Sequence, residues 1–230
     1  MTVRGKGNII MKLMGYKREN GTFGIRNHLL ILPTSVCSSE TAQRIAALVP
    51  GAVAIPHQHG CCQVGADYLQ TVNTLVGFGK NPNVGSVLVV SLGCEGTDHE
   101  RMVKEISATG KPVEIIHIQE LGGVSKAIQV GTDIARRLVI EASGIQRQPV
   151  DVSNIVMSIK CGGSDATSGM ASNCVIGYVA DKLVDLGATV IFGETTEFIG
   201  GEHLLAKRGA TKEVGDKIFQ IVNEMEARAK

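Results

Sequence analysis

The segment His57-Gln58-His59-Gly60-Cys61-Cys62 sets two imidazoles and two thiols within six residues. Imidazole nitrogen and thiolate sulfur suit zinc or ferrous iron, and a glycine lets a loop fold tightly around an ion. The alternative is a packed turn with buried thiols. Gly93-Cys94-Glu95 adds a thiol and a carboxylate at a predicted strand-to-helix turn, where a helix amino terminus favours thiolate. Glu95 can act there as a ligand, a general base or a helix-start carboxylate. No Cys-x-x-Cys pair occurs, which argues against a zinc ribbon or a thioredoxin-like redox motif.

Lys160-Cys161-Gly162-Gly163-Ser164-Asp165-Ala166-Thr167-Ser168-Gly169 is the richest polar turn in the chain. Glycines and hydroxyls before a helix offer N–H and O–H donors to an anion. The spacing is neither a Walker A loop nor Gly-x-Gly-x-x-Gly, so a nucleotide is not the favoured ligand. Lys160 can neutralise a carboxylate, move a proton, or stand as an ordinary surface lysine. Glu194-Thr195-Thr196-Glu197 and Gly200-Gly201-Glu202-His203 bring three carboxylates and an imidazole near another strand end. They suit acid–base chemistry or hard metal ligands, or else a capped helix start with solvated glutamates. Arg26 either forks onto a substrate carboxylate or serves as a structural ion-pair residue. His99 and His117 read as ordinary surface and strand residues, and Cys174 as core.

Four apolar runs position these groups. They begin near His28, Val53, Ser86 and Asn154 and lead to Cys37, Cys61-Cys62, Cys94 and Cys161. As parallel strands of one sheet they would deliver every one of these thiols to its carboxyl edge, where open α/β folds place ligands. Between the runs, helical spacing predicts helices over 39–49, 65–76, 98–108, 125–142, 171–186 and 211–229, with further strands at 113–118 and 189–193. Asn20-Gly21 marks a tight turn of the kind that closes a hairpin. The class is therefore α/β: a mostly parallel sheet with helices on both faces, in two Rossmann-like βαβ units. The expected organisation is a flexible lead-in over 1–14, a first domain over 15–148 and a second α/β unit over 149–230, with 144–151 as linker.

The chain has 230 residues, 28 glycines, no tryptophan and a net charge of +1. With no long basic or acidic block and no apolar stretch of membrane-span length, neither nucleic acid nor a membrane is an expected partner. No signal peptide is read at the start, so a cytoplasmic location with six reduced cysteines is expected.

Taken together, these segments resemble the altronate/galactarate dehydratase family of acidic-sugar hydro-lyases. The resemblance is carried by Gly15-Tyr16-x-Arg18-x-x-Gly21-x-x-Gly24-x-Arg26-Asn27, His57-x-x-Gly60-Cys61, Gly93-Cys94-Glu95, Lys160-Cys161-Gly162-Gly163-Ser164-Asp165-x-x-Ser168-Gly169 and Glu194-Thr195-x-Glu197-x-x-Gly200-x-Glu202-His203. The related sulfolactate sulfo-lyase large subunit shares the opening and the Gly-Gly-Glu-His segment. Cys62 stands where the family more usually has glycine. Members carry a small SAF-like amino-terminal domain, fused or separate, and extend beyond the last helix seen here, so this second unit resembles a shortened one.

The resemblance implies dehydration of a sugar-derived 2,3-dihydroxy acid to a 2-keto-3-deoxy acid, assisted by Fe2+ or another divalent metal. The alternatives are loss of sulfite from sulfolactate, as in the sulfo-lyase large subunit, and a non-catalytic fragment or scaffold subunit that needs further domains. An iron–sulfur cluster on Cys37, Cys61, Cys94 and Cys161 is the less favoured alternative. On this reading His57, Cys61, Cys94 and Glu95 surround the metal, and Lys160, His203 and Glu197 are catalytic. Arg26, Asn27, Gly162, Gly163, Ser164, Asp165 and Ser168 bind the substrate. The implied partners are a small sugar acid, the SAF-like domain or a separate subunit, and further copies of the chain in a homo-oligomer.

Overall fold

The computed structural model describes residues 12–163 and 165–230. They form two compact units, the first ending at Asp151 and the second beginning at Val152. The first contains β1 (Lys12–Lys17), β2 (Phe23–Gly24), β3 (His28–Pro33), α1 (Val36–Ala47) and β4 (Ala52–Ala54). It continues through α2 (Gly65–Lys80), β5 (Val84–Ser91), α3 (His99–Ser107), β6 (Val113–His117), α4 (Val124–Ser143) and β7 (Gln148–Asp151).

The main sheet has the order β4-β3-β5-β6 with every neighbour parallel. The chain steps from β3 out to β4, returns across β3 to β5, and continues to β6. Its direction reverses between β3 and β5, and the crevice outside their carboxyl ends is where such a topology receives ligands.

Strict alternation in β3 builds both faces. Leu29 and Ile31 pack with Leu88 and Val90 against Ala42 and Ile45 of α1 and Ala135 and Leu138 of α4. Leu30 and Leu32 point the other way, onto Val72 and Leu75 of α2 and Met102 and Ile106 of α3. All eight residues of β5 are buried, as expected of a central parallel strand covered on both faces. Each buried Leu or Ile contributes about 1.5–3 kcal/mol, so these two apolar layers fix the height of the strand ends.

A second sheet of order β2-β1-β7 is antiparallel. Asn20-Gly21 makes the expected tight turn between β1 and β2, with Gly21 at φ +82° and Arg18 N–H donating to Thr22 O at 2.9 Å. The segment expected as a linker instead carries β7, whose Pro149, Val150 and Asp151 pair with Met14, Leu13 and Lys12. The first unit therefore runs three residues beyond 148, and the lead-in expected over 1–14 is already strand from Lys12. The remainder of that lead-in, 1–11, lies outside the described residues.

The second unit begins with a 3-10 turn at Val152–Asn154 and β8 (Val156–Ile159). A π-helical turn at Ser168–Ser172 leads into α5 (Asn173–Asp185), followed by β9 (Thr189–Phe192), a 3-10 turn at Thr195–Phe198, α6 (Glu202–Ala206) and α7 (Lys212–Ala229). β8 and β9 are parallel, from Val156 opposite Thr189 to Ile159 opposite Phe192. Several apolar side chains of α5 and β9 stand exposed, among them Val175, Tyr178 and Phe192. Cys174, expected in the core, is exposed with them, its thiol donating to Gly169 O at 3.6 Å. Among the described residues no helix is long and apolar enough to cross a membrane.

Candidate active site

The carboxyl rim of the four-stranded sheet is built by the loops that follow β3, β4 and β5. Helix α1 starts at Val36, three residues earlier than its apolar spacing suggests, and so takes Cys37 into its first turn. Ser38 Oγ accepts from Ser35 N–H at 3.2 Å and donates to Ser35 O at 2.9 Å, which closes that start. The β4 loop is stitched to α1: Ser39 Oγ donates to His57 O at 2.9 Å, and Val36 N–H donates to His59 O at 2.8 Å.

Gly60 lies at the tightest point of the rim. Its φ is +91°, and a Cβ placed on it would come within 2.2 Å of Thr34 O and 2.8 Å of Ser35 Cα. Thr97 Oγ1 lies 2.8 Å from Thr34 O and 3.0 Å from Gly60 O, within hydrogen-bond reach of both loops.

Glu95 closes the crevice between β3 and β5. Its Oε1 accepts from the Thr34 hydroxyl and from Leu92 N–H at 3.2 Å, and its Oε2 accepts from Gly93 N–H at 2.7 Å. Burial alone would raise this carboxyl. The hydroxyls of Ser91 and Thr34, with the N–H groups of Glu95 itself and Gly93, outweigh it and hold the pKa down at about 2. A carboxylate so low and so occupied is a fixed anion that clamps two loops together.

His57 sits half-buried with both ring nitrogens engaged. Nε2 donates to Pro33 O at 2.9 Å, and Nδ1 accepts from His59 N–H at 3.2 Å, which defines the Nε2–H tautomer. Cys61 and Cys62 are exposed with Sγ atoms 3.7 Å apart. The hydrogen bond with Cys62, then its charge, push the Cys61 thiol up, and charge on Cys37 and Cys94 adds to the effect. Cys37 at the start of α1, Cys61 and Cys62 after β4, and Cys94 after β5 all follow strand ends of the same sheet. An open cleft of about 510 Å³ lies between the β4 loop and α2, lined by Ile55, His57, His59, Gln63 and Asp67 among others.

The four residues expected around a metal all lie on this rim, but the structure does not gather their donor atoms about one point. Among the described residues, the only set of three or more such donors lying within 4.8 Å of one another is that of Cys161, Glu194 and Glu197. The physical reason is local: the His57 ring turns inward onto Pro33, and Glu95 is drawn between the loops.

Arg26 and Asn27 precede β3 and therefore lie at its amino end, about 20 Å from the carboxyl rim. Asn27 is spent structurally: its Nδ2 donates to Ala142 O at 2.9 Å and its Oδ1 accepts from Arg18 at 2.8 Å. Arg18, buried at 6% exposure, also donates to Pro82 O at 2.8 Å and Arg26 O at 3.1 Å. The Arg26 guanidinium is exposed, with its Nη1 3.2 Å from Ile25 O. Of this pair neither reaches the strand ends that the thiols follow.

In the second unit, Lys160 and Cys161 follow β8, and Glu194 and Glu197 follow β9. Parallel pairing brings the two strand ends side by side. Lys160 Nζ donates to Glu194 Oε1 at 2.5 Å, and Cys161 N–H donates to Glu194 Oε2 at 3.1 Å. The hydrogen bond to Glu194 raises the Lys160 pKa, so its ammonium stays charged at neutral pH, and the same bond lowers Glu194. Glu194 adopts φ +64°, a left-handed conformation uncommon for a non-glycine residue.

The polar turn is partly self-satisfied. Asp165 Oδ1 accepts from Thr167 Oγ1 at 2.5 Å and from Ser168 N–H at 2.9 Å, and these bonds lower its pKa. Ser168 Oγ donates to Gly163 O at 3.0 Å. A Cβ on Gly162 or Gly163 would meet nothing within 4 Å, so the backbone there is open to a ligand. Ser164 lies outside the described residues. His203 is exposed on α6.

Thr34, Thr97 and the His99–His117 pair carry no motif and escape sequence reasoning. The two rings stand edge to face with centroids 5.0 Å apart, and His99 Nδ1 is buried without a partner. Their one legible signal is position: His117 ends β6, and His99 opens the helix after the Cys94 turn.

Comparison with known proteins gives a consistent answer over nearly the whole chain. Relatives include the (2R)-sulfolactate sulfo-lyase subunit beta of Chromohalobacter salexigens, 44% identical over 209 residues, covering 91% of this chain and 53% of the relative. Altronate dehydratase of Bacillus subtilis is 32% identical over 221 residues, covering 91% and 44%. Galactarate dehydratase (L-threo-forming) of Escherichia coli is 33% identical over 156 residues, covering 65% and 30%. The chain thus spans about half the length, or less, of these curated relatives. Residues 152–230 match D-galactarate/Altronate dehydratase, C-terminal, and residues 15–143 match D-galactarate dehydratase/Altronate hydrolase, second domain. The chain belongs to the D-galactarate/altronate dehydratase family.

Proposed function

We propose that this chain carries catalytic groups of a hydro-lyase that dehydrates a sugar-derived 2,3-dihydroxy acid, such as altronate or galactarate, to a 2-keto-3-deoxy acid. The observation that carries the reading is the Lys160–Glu194 pair beside Cys161 and Glu197. Hydroxide is a poor leaving group and needs a proton as it departs. Lys160, kept protonated by Glu194, supplies that proton. The imidazole of His203 is assigned to take the proton α to the carboxylate. The open backbone at Gly162 and Gly163 leaves room for the substrate's carboxylate to approach N–H donors.

Cys161, Glu194 and Glu197 are the residues that would hold a divalent ion such as Fe2+, since one thiolate with two carboxylates suits a borderline cation. When bound, such an ion supplies Lewis-acid polarisation of the substrate's oxygens. Glu194 would be shared between such an ion and Lys160, so that ligand and acid stand side by side. A separate subunit or fused SAF-like domain completes the enzyme on this reading, supported by a relative that is itself named a subunit beta. Six free cysteines, five of them exposed, support a reducing compartment such as the cytoplasm. Assembly as a homo-oligomer belongs to the same reading.

A second reading, loss of sulfite from sulfolactate, is favoured by the 44% identity to a sulfolactate sulfo-lyase subunit. Sulfite departs as a stable anion and has less need of an acid such as Lys160. Anaerobic incubation of the complete enzyme and Fe2+ with altronate, galactarate and sulfolactate, assayed for 2-keto acid and for sulfite, tests both. The dehydratase reading expects 2-keto acid from a sugar acid; sulfite release from sulfolactate alone overturns it.

A further inference from the structure

Cys61 and Cys62 are consecutive in sequence yet point their sulfurs the same way. Neighbouring side chains in extended backbone diverge to opposite sides. Here Cys62 adopts φ +57°, a left-handed turn that swings its thiol back to 3.7 Å from that of Cys61. Both are exposed, and Gly60, wedged beneath Thr34 O, anchors the loop from the preceding residue. The separation is far longer than a sulfur–sulfur bond of about 2.05 Å. It matches the edge of a tetrahedron of thiolates around an ion: with metal–sulfur bonds of about 2.3 Å, adjacent ligands lie about 3.8 Å apart. Two thiolates preset at that bite select soft d10 ions over hard ones.

We propose that Cys61 and Cys62 form a bidentate site for a soft, thiophilic cation on the rim of the first unit, its remaining coordination left to solvent. This site is distinct in residues and chemistry from the mixed thiolate–carboxylate set of the second unit. Loading the site releases one proton from each thiol that binds, which makes affinity rise with pH through the thiol range.

The test is titration of the reduced full chain with Cd2+ alone, followed by the ultraviolet thiolate-to-cadmium charge-transfer band, with Zn2+ as competitor. In the chain carrying Cys161→Ala, which removes the second unit's thiolate, a band that saturates at one ion and is displaced by Zn2+ is expected. Cys62→Gly suits the left-handed backbone and keeps the fold, and should weaken Cd2+ by at least about tenfold. Cys62→Ser should behave likewise, whereas Cys174→Ala should leave the band intact. An unchanged band in both Cys62 variants overturns the proposal. So does a wild-type mass lower by two hydrogens with no cadmium band, the signature of a vicinal disulfide.

Discussion

The Thr34 hydroxyl donates to the Glu95 carboxylate, joining the loop after β3 to the loop after β5 where the sheet reverses direction. Thr34 is fully buried, and Glu95 also takes N–H bonds from Leu92 and Gly93. Thr34→Val removes a donor from a charged acceptor at nearly constant volume. A loss of about 1–3 kcal/mol in unfolding free energy is expected by urea denaturation.

The same carboxylate sets an acid limit. Its folded pKa of about 2 lies below the ordinary 4.5. Its stabilising contribution is therefore complete above 4.5 and disappears as pH falls through 2. After solvent screening this amounts to about 1–2 kcal/mol. Glu95→Gln should flatten the acid limb of the stability–pH curve by that amount relative to wild type.

Gly60→Ala should be among the costliest single-methyl additions in the chain. The new Cβ meets Thr34 O at 2.2 Å in a backbone conformation of φ +91°. Relief requires the β3 and β4 loops to separate, so a loss above about 3 kcal/mol is expected. Thermal melts and amide exchange at Val36 N–H, which donates to His59 O, report it.

Arg18→Met should destabilise the fold without touching the rim chemistry. It strips donors from Pro82 O, Asn27 Oδ1 and Arg26 O in a buried setting. A loss of about 2–4 kcal/mol is expected, with cadmium binding at the thiols unchanged in the folded fraction.

Lys160→Met should lower kcat for water elimination by about 100-fold or more, because the departing hydroxide loses its acid. Glu194→Gln removes the partner that raises the Lys160 pKa. The basic limb of the rate–pH profile should then move to lower pH, since the acid is lost earlier as pH rises. A limb that stays in place would assign the proton to another group.

Periodicity alone announced the parallel core: the alternating residues of β3 serve two apolar layers, and a fully apolar β5 lies between them. Cys37, Cys61 and Cys94 follow strand ends of one sheet, whereas Cys161, expected on the same edge, follows β8 of a separate two-stranded sheet in the second unit. What the residues could not announce is where each polar side chain turns. The His57 ring faces a carbonyl, and Glu95 serves as a clamp; both outcomes depend on loop contacts distant in sequence. Arg26 was expected at the substrate, yet a residue before a strand occupies its amino end, away from the carboxyl rim. Strand β7 was obscured by Pro149, which reads as a breaker yet is tolerated on an edge strand.

The pairing of β1 with β7 means that the first unit receives and releases its chain at adjacent strands, Lys12 opposite Asp151. A module whose entrance and exit are hydrogen-bonded neighbours can be grafted between other segments with no stretch of backbone needed to span it. Such a body is suited to travel as a cassette, so that flanking domains can be exchanged around a constant rim.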